Sequence, residues 1–251
     1  MFGLGGKLAL VTGSSTGIGF ALADALATAG ARVVLNARNR ERLETAASLL
    51  RAKGHQVDAL PFDVTDPGDV TRAIDRIESE IGCLHILVNN AGMQYRSPLE
   101  QFPNEAWHAL MRLNVDSVFY VSKAAVRYMI ERRSGRIINI CSVQSEVGRA
   151  TIAPYTASKG AVKMLTKGMA VEWGKYGINV NGIGPGYFKT ELTEPLVRDE
   201  KFTAWLTSRT PNGRWGEVAE LGGAVVFLAS KASSFVNGHI LYVDGGLTAS
   251  L

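Results

Sequence analysis

Cysteine is nearly absent, with only Cys83 and Cys141 in 251 residues. Neither has Cys or His companions at metal-ligand spacing, which excludes a disulfide framework and a structural zinc site. A reducing compartment, the cytoplasm, is the expected location. Long apolar runs are missing too. No stretch reaches the roughly 18 apolar residues of a membrane span, and the start MFGLGGKLALVTG has no cationic segment leading into a long apolar one. Neither a membrane anchor nor a secretory signal is expected. An excess of one charge is lacking as well: 27 Lys and Arg against 23 Asp and Glu leave a formal +4, spread along the chain. No basic tract marks a nucleic-acid partner, although the slight excess of base suits an anionic small ligand. Pro/Ser/Gly linkers, low-complexity tracts and internal repeats that would divide the chain are also missing.

What is present suits one large core. Apolar residues make up 46% and charged residues 20%, a globular balance, and 251 residues fit one α/β domain. Short apolar runs alternate with segments of helical period: KLALVT, ARVVLN, QVDALPF, HILVNN, RIINICS, GINVNGIGPG and HILYVDGG are each separated by longer stretches, helical near 104–132, 154–174 and 217–229. About seven βα units follow. Near-continuous apolar strands joined by helices predict a Rossmann-type, doubly wound parallel sheet of about seven strands in a single domain. The stretch 186–215, with Pro195, Pro211 and Gly213, is expected to be irregular and to act as a substrate loop or lid over the carboxyl edge of the sheet.

The first strand ends in TGSSTGIG, directly before the amphipathic FALADALATAG. Glycines in a strand-to-helix turn let the backbone around Gly13, Ser15, Thr16, Gly17, Ile18 and Gly19 approach a pyrophosphate at the positive end of a helix dipole. The spacing, G-x-x-x-G-x-G, departs from the G-x-G-x-x-G fingerprint; its strand and helix context is what favours a nucleotide over a plain turn. The second strand ends at Asn36-Ala37-Arg38, with no Asp or Glu for a ribose 2′-hydroxyl. Arg38 offers a planar cation for a 2′-phosphate, with Asn36 or Ser14 placed to share it, so NADP (NADPH) is expected and NAD is the poorer fit; the alternative is that Arg38 is a solvated residue at the strand end. Asp63 and Val64, after the third strand, lie at an adenine edge, or Asp63 caps the following helix. Asn90, Ala91 and Gly92, in the NNAG after the fourth strand, are placed where a ribose or nicotinamide passes, unless they form only an Asn/Gly turn.

Tyr155 and Lys159 are four apart at the start of a helix, which puts them on one face and lets the ammonium lower the phenol pKa toward that of a useful acid/base. Ser142, ending the fifth strand, is placed to hydrogen-bond a substrate oxygen, and Asn114, in the helix-like MRLNVDSVF, to hold water in a proton relay. Cys141 then faces away from the site as a buried apolar residue.

These residues together resemble the short-chain dehydrogenase/reductase family over essentially the whole chain: TGSSTGIG, NNAG, Asn114, Ser142, Tyr155, Lys159 and Pro185-Gly186 occur in that family's order and spacing. The resemblance implies a nicotinamide cofactor against which Pro185 and Gly186 also lie. It implies Tyr155 as proton donor or acceptor, Lys159 orienting the ribose and assisting Tyr155, Ser142 steadying the reacting oxygen, and no metal. It also implies a homo-oligomer, tetramer or dimer, through the helices near 104–132 and 154–174. Within the family, IINICSVQSEVGRATIAPYTASKGAVKML, NGIGPGYFKTEL and SFVNGHILYVDGG are similar to members acting on a sugar acid and its keto form. For such a small-molecule substrate, Arg96 is the candidate for the carboxylate and Gln94, Glu146 and Tyr187 for hydroxyls, each otherwise a solvated loop residue. A 3-ketoacyl thioester reductase, or another sugar or polyol dehydrogenase, would share the catalytic residues. A non-catalytic NADP-binding scaffold or sensor fits the fold but leaves Ser142, Tyr155 and Lys159 without a task.

Overall fold

In the computed structural model, which describes residues 1–250, the seven apolar runs become strands β1 (Leu8–Val11), β2 (Arg32–Leu35), β3 (Val57–Ala59), β4 (Leu84–Asn89), β5 (Gly135–Ile140), β6 (Ile178–Pro185) and β7 (Ile240–Val243). All pair in parallel in the order β3-β2-β1-β4-β5-β6-β7. The expected doubly wound sheet is present. Alternate residues of β1 serve opposite layers. Leu8 and Leu10 join the helices α3 (Pro67–Arg76), α5 (Ser117–Glu131) and α6 (Ala153–Trp173), while Ala9 and Val11 join α1 (Gly17–Thr28), α2 (Arg40–Ala52) and α9 (Gly222–Ala229). Each fully buried Leu in these layers contributes on the order of 1.5–3 kcal/mol, so the two cores hold the sheet rigid beneath its carboxyl edge.

The strand order reverses between β1 and β4, and that crevice is where such sheets bind ligands. The helical stretch at 104–132 is interrupted: α4 (Asn104–Met111) passes into a π-helical turn, Arg112–Asp116, before α5 begins. The turn places Asn114 at a local widening, a feature that often marks functional positions.

The stretch 186–215 departs from the expected irregular loop. It contains α7 (Glu194–Val197) and α8 (Glu200–Arg209), the latter capped by the Asp199 side chain, which accepts from the Phe202 amide. Periodicity in EKFTAWLTSR is weak because its apolar residues face a small aromatic cluster and not the main core. Phe202 packs against Trp205 (5.3 Å between centroids), Tyr187 (5.6 Å) and Trp215 (6.0 Å), and Tyr187 also meets Trp215 (5.9 Å) and Trp205 (6.5 Å).

A polar ladder crosses the buried face beneath α5 and α6. Asn89 donates to Ser122 (2.9 Å) and to Asn139 (2.8 Å), and Asn139 donates to Thr166 (2.9 Å). In a low-dielectric interior these bonds fix which turn of α6 lies over β5, and so where its first turn projects. Asn139→Leu leaves the Asn89 amide without that acceptor, and a loss of about 1–3 kcal/mol of unfolding free energy is expected. The check is a urea titration at constant slope; an unmoved midpoint would show that the ladder does not hold the helix.

Candidate functional site

One cleft of about 520 Å³ runs along the carboxyl edge of the sheet from Arg38 to Tyr187. Its floor is the glycine turn. Gly13 has φ +62°, and a Cβ there would stand 2.8 Å from the Ala91 Cα; one on Gly19 would run into the Gly13 carbonyl and the Asn90 amide. Only hydrogen side chains let α1 approach β4 this closely. Asn90 Nδ2 donates to both Thr12 and Gly13 carbonyls at 2.9 Å, while Thr12 Oγ1 accepts from the Asn90 (3.0 Å) and Ala91 (3.1 Å) amides. Asn90 thus shapes the turn, and its amide is occupied in doing so. Thr16, before α1, makes no side-chain cap, so the first-turn N–H groups of α1 point to the cleft uncapped. Thr12 and its lock went unnoticed in the sequence because a Thr before a glycine turn carries no spacing signal.

At the outer end, Arg38 lines the cleft as expected, and Val64 with Phe62 forms the wall opposite. Asn36 lines the cleft, but its side chain and that of Ser14 are engaged with protein groups. Both are buried: Ser14 Oγ donates to Val11 O (2.7 Å) and accepts from Asn36 N (3.0 Å), and Asn36 Nδ2 donates to the Phe62 carbonyl (3.0 Å). Asp63 is a turn residue, accepting from the amide and hydroxyl of Thr65 (both 2.8 Å); the cap of α3 is Asp66. Burial would raise the Asp63 carboxyl, but the two Thr65 hydrogen bonds and, more weakly, the charges of Arg38 and Arg112 hold it below the usual value. Arg42 is a second cation at this end. It reaches from the first turn of α2, after Asn39, and meets Glu191 at 3.0 Å.

In the middle, Ser142, Tyr155 and Lys159 meet. Burial holds the Tyr155 phenol above its ordinary value; the neighbouring Ser142 hydroxyl and, more weakly, the charge of Arg96 pull it down, while Cys141 adds to the rise. The expected lowering by Lys159 is therefore not what the geometry delivers. The ammonium lies 5.7 Å from the centre of the Tyr155 ring and donates to the Ile140 carbonyl at 2.7 Å. Burial lowers Lys159 itself to about 8, partly offset by Cys141. Cys141 is buried and its thiol is raised to about 11, as befits an apolar residue. The Asn114 side chain is not free to hold water. Its Oδ1 accepts from Met93 N (2.8 Å), and its Nδ2 donates to Met93 O (3.0 Å) and Ser158 Oγ (3.1 Å), whose hydroxyl donates to the Tyr155 carbonyl (2.7 Å). Asn114 ties the NNAG loop to the helix turn that carries Tyr155.

Ile140, Pro185 and Gly186 continue the floor toward the inner end, where Gln94, Arg96 and Tyr187 line the cleft as expected. Gln94 Oε1 accepts from Arg96 at 2.9 Å, so it orients the guanidinium. Glu146 is elsewhere. It accepts from Lys163 (2.5 Å) and from the Tyr242 hydroxyl (2.7 Å), joining the loop to α6 and β7, because the short 3₁₀ turn Val143–Ser145 rotates it away from the cleft. Gln144 and Arg149, which the sequence reading passed over, stand in the lining instead. Along the described lining, Arg38, Arg42, Arg96, Arg149 and Lys159 face a single carboxylate, Glu191. The described residues contain no cluster suited to a metal ion.

A family model described as enoyl-(acyl carrier protein) reductase matches residues 13–248. The chain is 57% identical to gluconate 5-dehydrogenase of Gluconobacter oxydans (strain 621H) over 251 residues, covering 100% of this chain and 98% of that protein. It is 54% identical to 5-keto-D-gluconate 5-reductase of Escherichia coli (strain K12), covering 100% and 99%. The crystal structure of a gluconate 5-dehydrogenase from Burkholderia cenocepacia J2315 in complex with NADP and tartrate superposes with a TM-score of 0.98 at 56% identity, covering 100% of this chain and 98% of that one.

The lowered Lys159 carries a pH signature. Between about 8 and its unfolded value of 10.5 the folded state binds fewer protons than the unfolded one, so the penalty for burying the ammonium is present below about pH 8 and fades as pH rises. Stability measured by denaturant at pH 7 and pH 10 should therefore improve with pH for the wild type relative to Lys159→Met. Parallel pH dependences would show that Lys159 is not perturbed.

Proposed function

The chain belongs to the short-chain dehydrogenase/reductase family, and from that premise we propose that it interconverts D-gluconate and 5-keto-D-gluconate with NADP(H). The observation that carries this is the placing of Ser142 and Tyr155 between two cationic ends of one cleft, one fit for a nucleotide phosphate and one for a carboxylate. NADP(H), when bound, supplies or takes up the hydride. The glycine turn and the uncapped start of α1 would hold its pyrophosphate, Arg38 and Arg42 its 2′-phosphate, and Val64, Ala91, Gly92, Pro185 and Gly186 its flanks.

Tyr155 gives or takes the proton of the reacting oxygen. Its raised pKa suits the acid form, and Ser142, which lines the cleft beside it, would hold that oxygen in place. Lys159, held beneath the phenol ring by the Ile140 carbonyl, would orient the cofactor's ribose. Asn114, whose amide is occupied, positions the turn that carries Tyr155. Arg96, oriented by Gln94, takes the substrate carboxylate, and Tyr187 a hydroxyl. The 186–215 segment acts as the lid. The two free cysteines suit the cytoplasm, and no described helix is long and apolar enough to cross a membrane. Phe119 on α5 and Met164 and Val171 on α6 are exposed apolar side chains that support a homo-oligomer, dimer or tetramer, through those helices.

The assay that tests the reading is a panel of gluconate, other aldonates, polyols and a 3-ketoacyl thioester with NADP(H) and NAD(H). Gluconate with NADP should give the highest kcat/KM, and a thioester leading the panel would overturn the proposal. In the same assay Tyr155→Phe should keep its affinity for NADP and lose about 10²–10⁴-fold in turnover; full activity at every pH would remove Tyr155 from its role.

Cofactor choice has its own test. A 2′-phosphate needs a cation in a partly enclosed site, whereas a carboxylate repels it and accepts from free ribose hydroxyls. The wild type should prefer NADP over NAD by at least about tenfold in kcat/KM, or ~1.4 kcal/mol. Ala37→Asp with Arg38→Ile should reverse that preference, with Arg42 retaining part of the phosphate affinity. A wild type that prefers NAD would refute the role of Arg38.

A further inference from the structure

The inner end of the cleft holds a guanidinium whose surroundings ask for an anion. Arg149 follows the 3₁₀ turn after β5, half-buried, and lines the cleft with Arg96. It has no ion-pair partner among the described residues. Its contacts are the Tyr187 hydroxyl, to which Nη1 donates at 3.3 Å, and the ring of Phe202, whose centroid lies 4.8 Å from the guanidinium carbon. A guanidinium has five N–H donors, and only one is engaged here. Tyr187 Oη also accepts from Gln144 Nε2 at 3.5 Å, so the phenol receives two donors and keeps its own proton to give. Gln144 is buried and its Oε1 has no partner. Burial, reinforced by the charge of Arg149, holds Arg96 below its ordinary value, so the two cations sense each other with no acid between them.

Both partners of Arg149 belong to the 186–215 segment: Tyr187 opens it and Phe202 lies in α8. Arg149 itself belongs to the loop beside Ser142. It is therefore a bridge between the catalytic edge of the sheet and the segment that covers it.

We infer that Arg149 is a second carboxylate-binding arm of the cleft, and that through Tyr187 and Phe202 it transmits the binding of an anionic substrate to the packing of α8, making closure depend on the charge of the substrate. This rests on the sugar-acid reading above and adds to it a specificity residue. A carboxylate offers the free guanidinium donors charge-assisted bonds stronger than the single one to a phenol. Stacking on Phe202 fixes the guanidinium plane, so that an anion drawn to the fork aligns α8 with it. An uncharged polyol lacks that hold and leaves α8 where it was. Lysine keeps the charge and loses both the fork and the stacked plane, so it is not an equivalent side chain here.

The test has two arms on the full-length NADP-bound protein. In the first, Arg149→Gln should raise the KM for gluconate on the order of tenfold to a hundredfold. Arg149→Lys should recover only part of the loss, and the Kd for NADP should stay within about twofold of wild type. In the second, hydrogen exchange across 200–209 is followed with and without tartrate, a dianion that needs no turnover to report. Tartrate should slow exchange in the wild type and not in Arg149→Gln, and Phe202→Leu, which keeps the cation and removes its platform, should also lose the effect. An unchanged KM for gluconate, or tartrate protection that persists in Arg149→Gln, would overturn the inference. A wild type that ignores gluconate yet shows Arg149-dependent protection by tartrate would instead overturn the sugar-acid reading and leave this inference standing.

Discussion

The lock between Thr12 and Asn90 is the constraint on which the site depends. β1 and β4 are neighbours in space but separated by more than seventy residues, and their carboxyl ends must diverge to open a crevice. Asn90 donates to the two carbonyls that the glycine turn leaves unpaired, and Thr12 accepts from the two amides of the NNAG loop. Four partly buried polar groups that would each cost free energy alone are thereby satisfied together. The turn is held in one shape with its N–H groups directed into the cleft. Asn36 and Ser14 complete the frame from the side of β2.

From that frame the charges of the cleft are set in order. Cations stand at both ends and the phenol stands in the middle, where burial and Ser142 act on it in opposite senses. Lys159 is held under the phenol ring by the Ile140 carbonyl, so the end of β5 presents Ser142 to the cleft and anchors the lysine two residues earlier. Asn114 and Ser158 then fix the first turn of α6 against the NNAG loop. The loop after NNAG and the helix turn that carries Tyr155 share hydrogen bonds, so the position of one cannot change without the other.

The parts of the cleft that are legible in the sequence are those whose signal is local. The glycine turn, NNAG and the Tyr155/Lys159 pair each combine residue type, spacing and a strand or helix junction, and each lies in the cleft. Arg38 was legible for the same reason, as the first cation after β2. The errors share a different cause. Glu146 and Gln144 are two residues apart in one loop, and a single 3₁₀ turn decides that Gln144 lines the cleft while Glu146 meets Lys163 and Tyr242. α8 carries no helical signal in the sequence because its apolar residues pack on Tyr187 and Trp215, an aromatic cluster with no heptad or 3.6-residue stripe behind it.

By itself the sequence determined the strand count, the parallel sheet, the place of the crevice and the pairing of Tyr155 with Lys159 on one helix face. Periodicity and strand-to-helix junctions are properties of neighbouring residues, and the chain carries them in order. Only the tertiary structure decided which polar groups are free to act. Asn36, Ser14, Asn90 and Asn114 are polar residues beside a ligand cleft, and each is occupied in holding backbone from another element. Arg42 and Arg149 lie four and seven residues beyond the motifs that announce the site, and packing brings them into its wall. Hydrogen-bond satisfaction and desolvation depend on what surrounds a group on every side, and most of those neighbours come from distant parts of the chain.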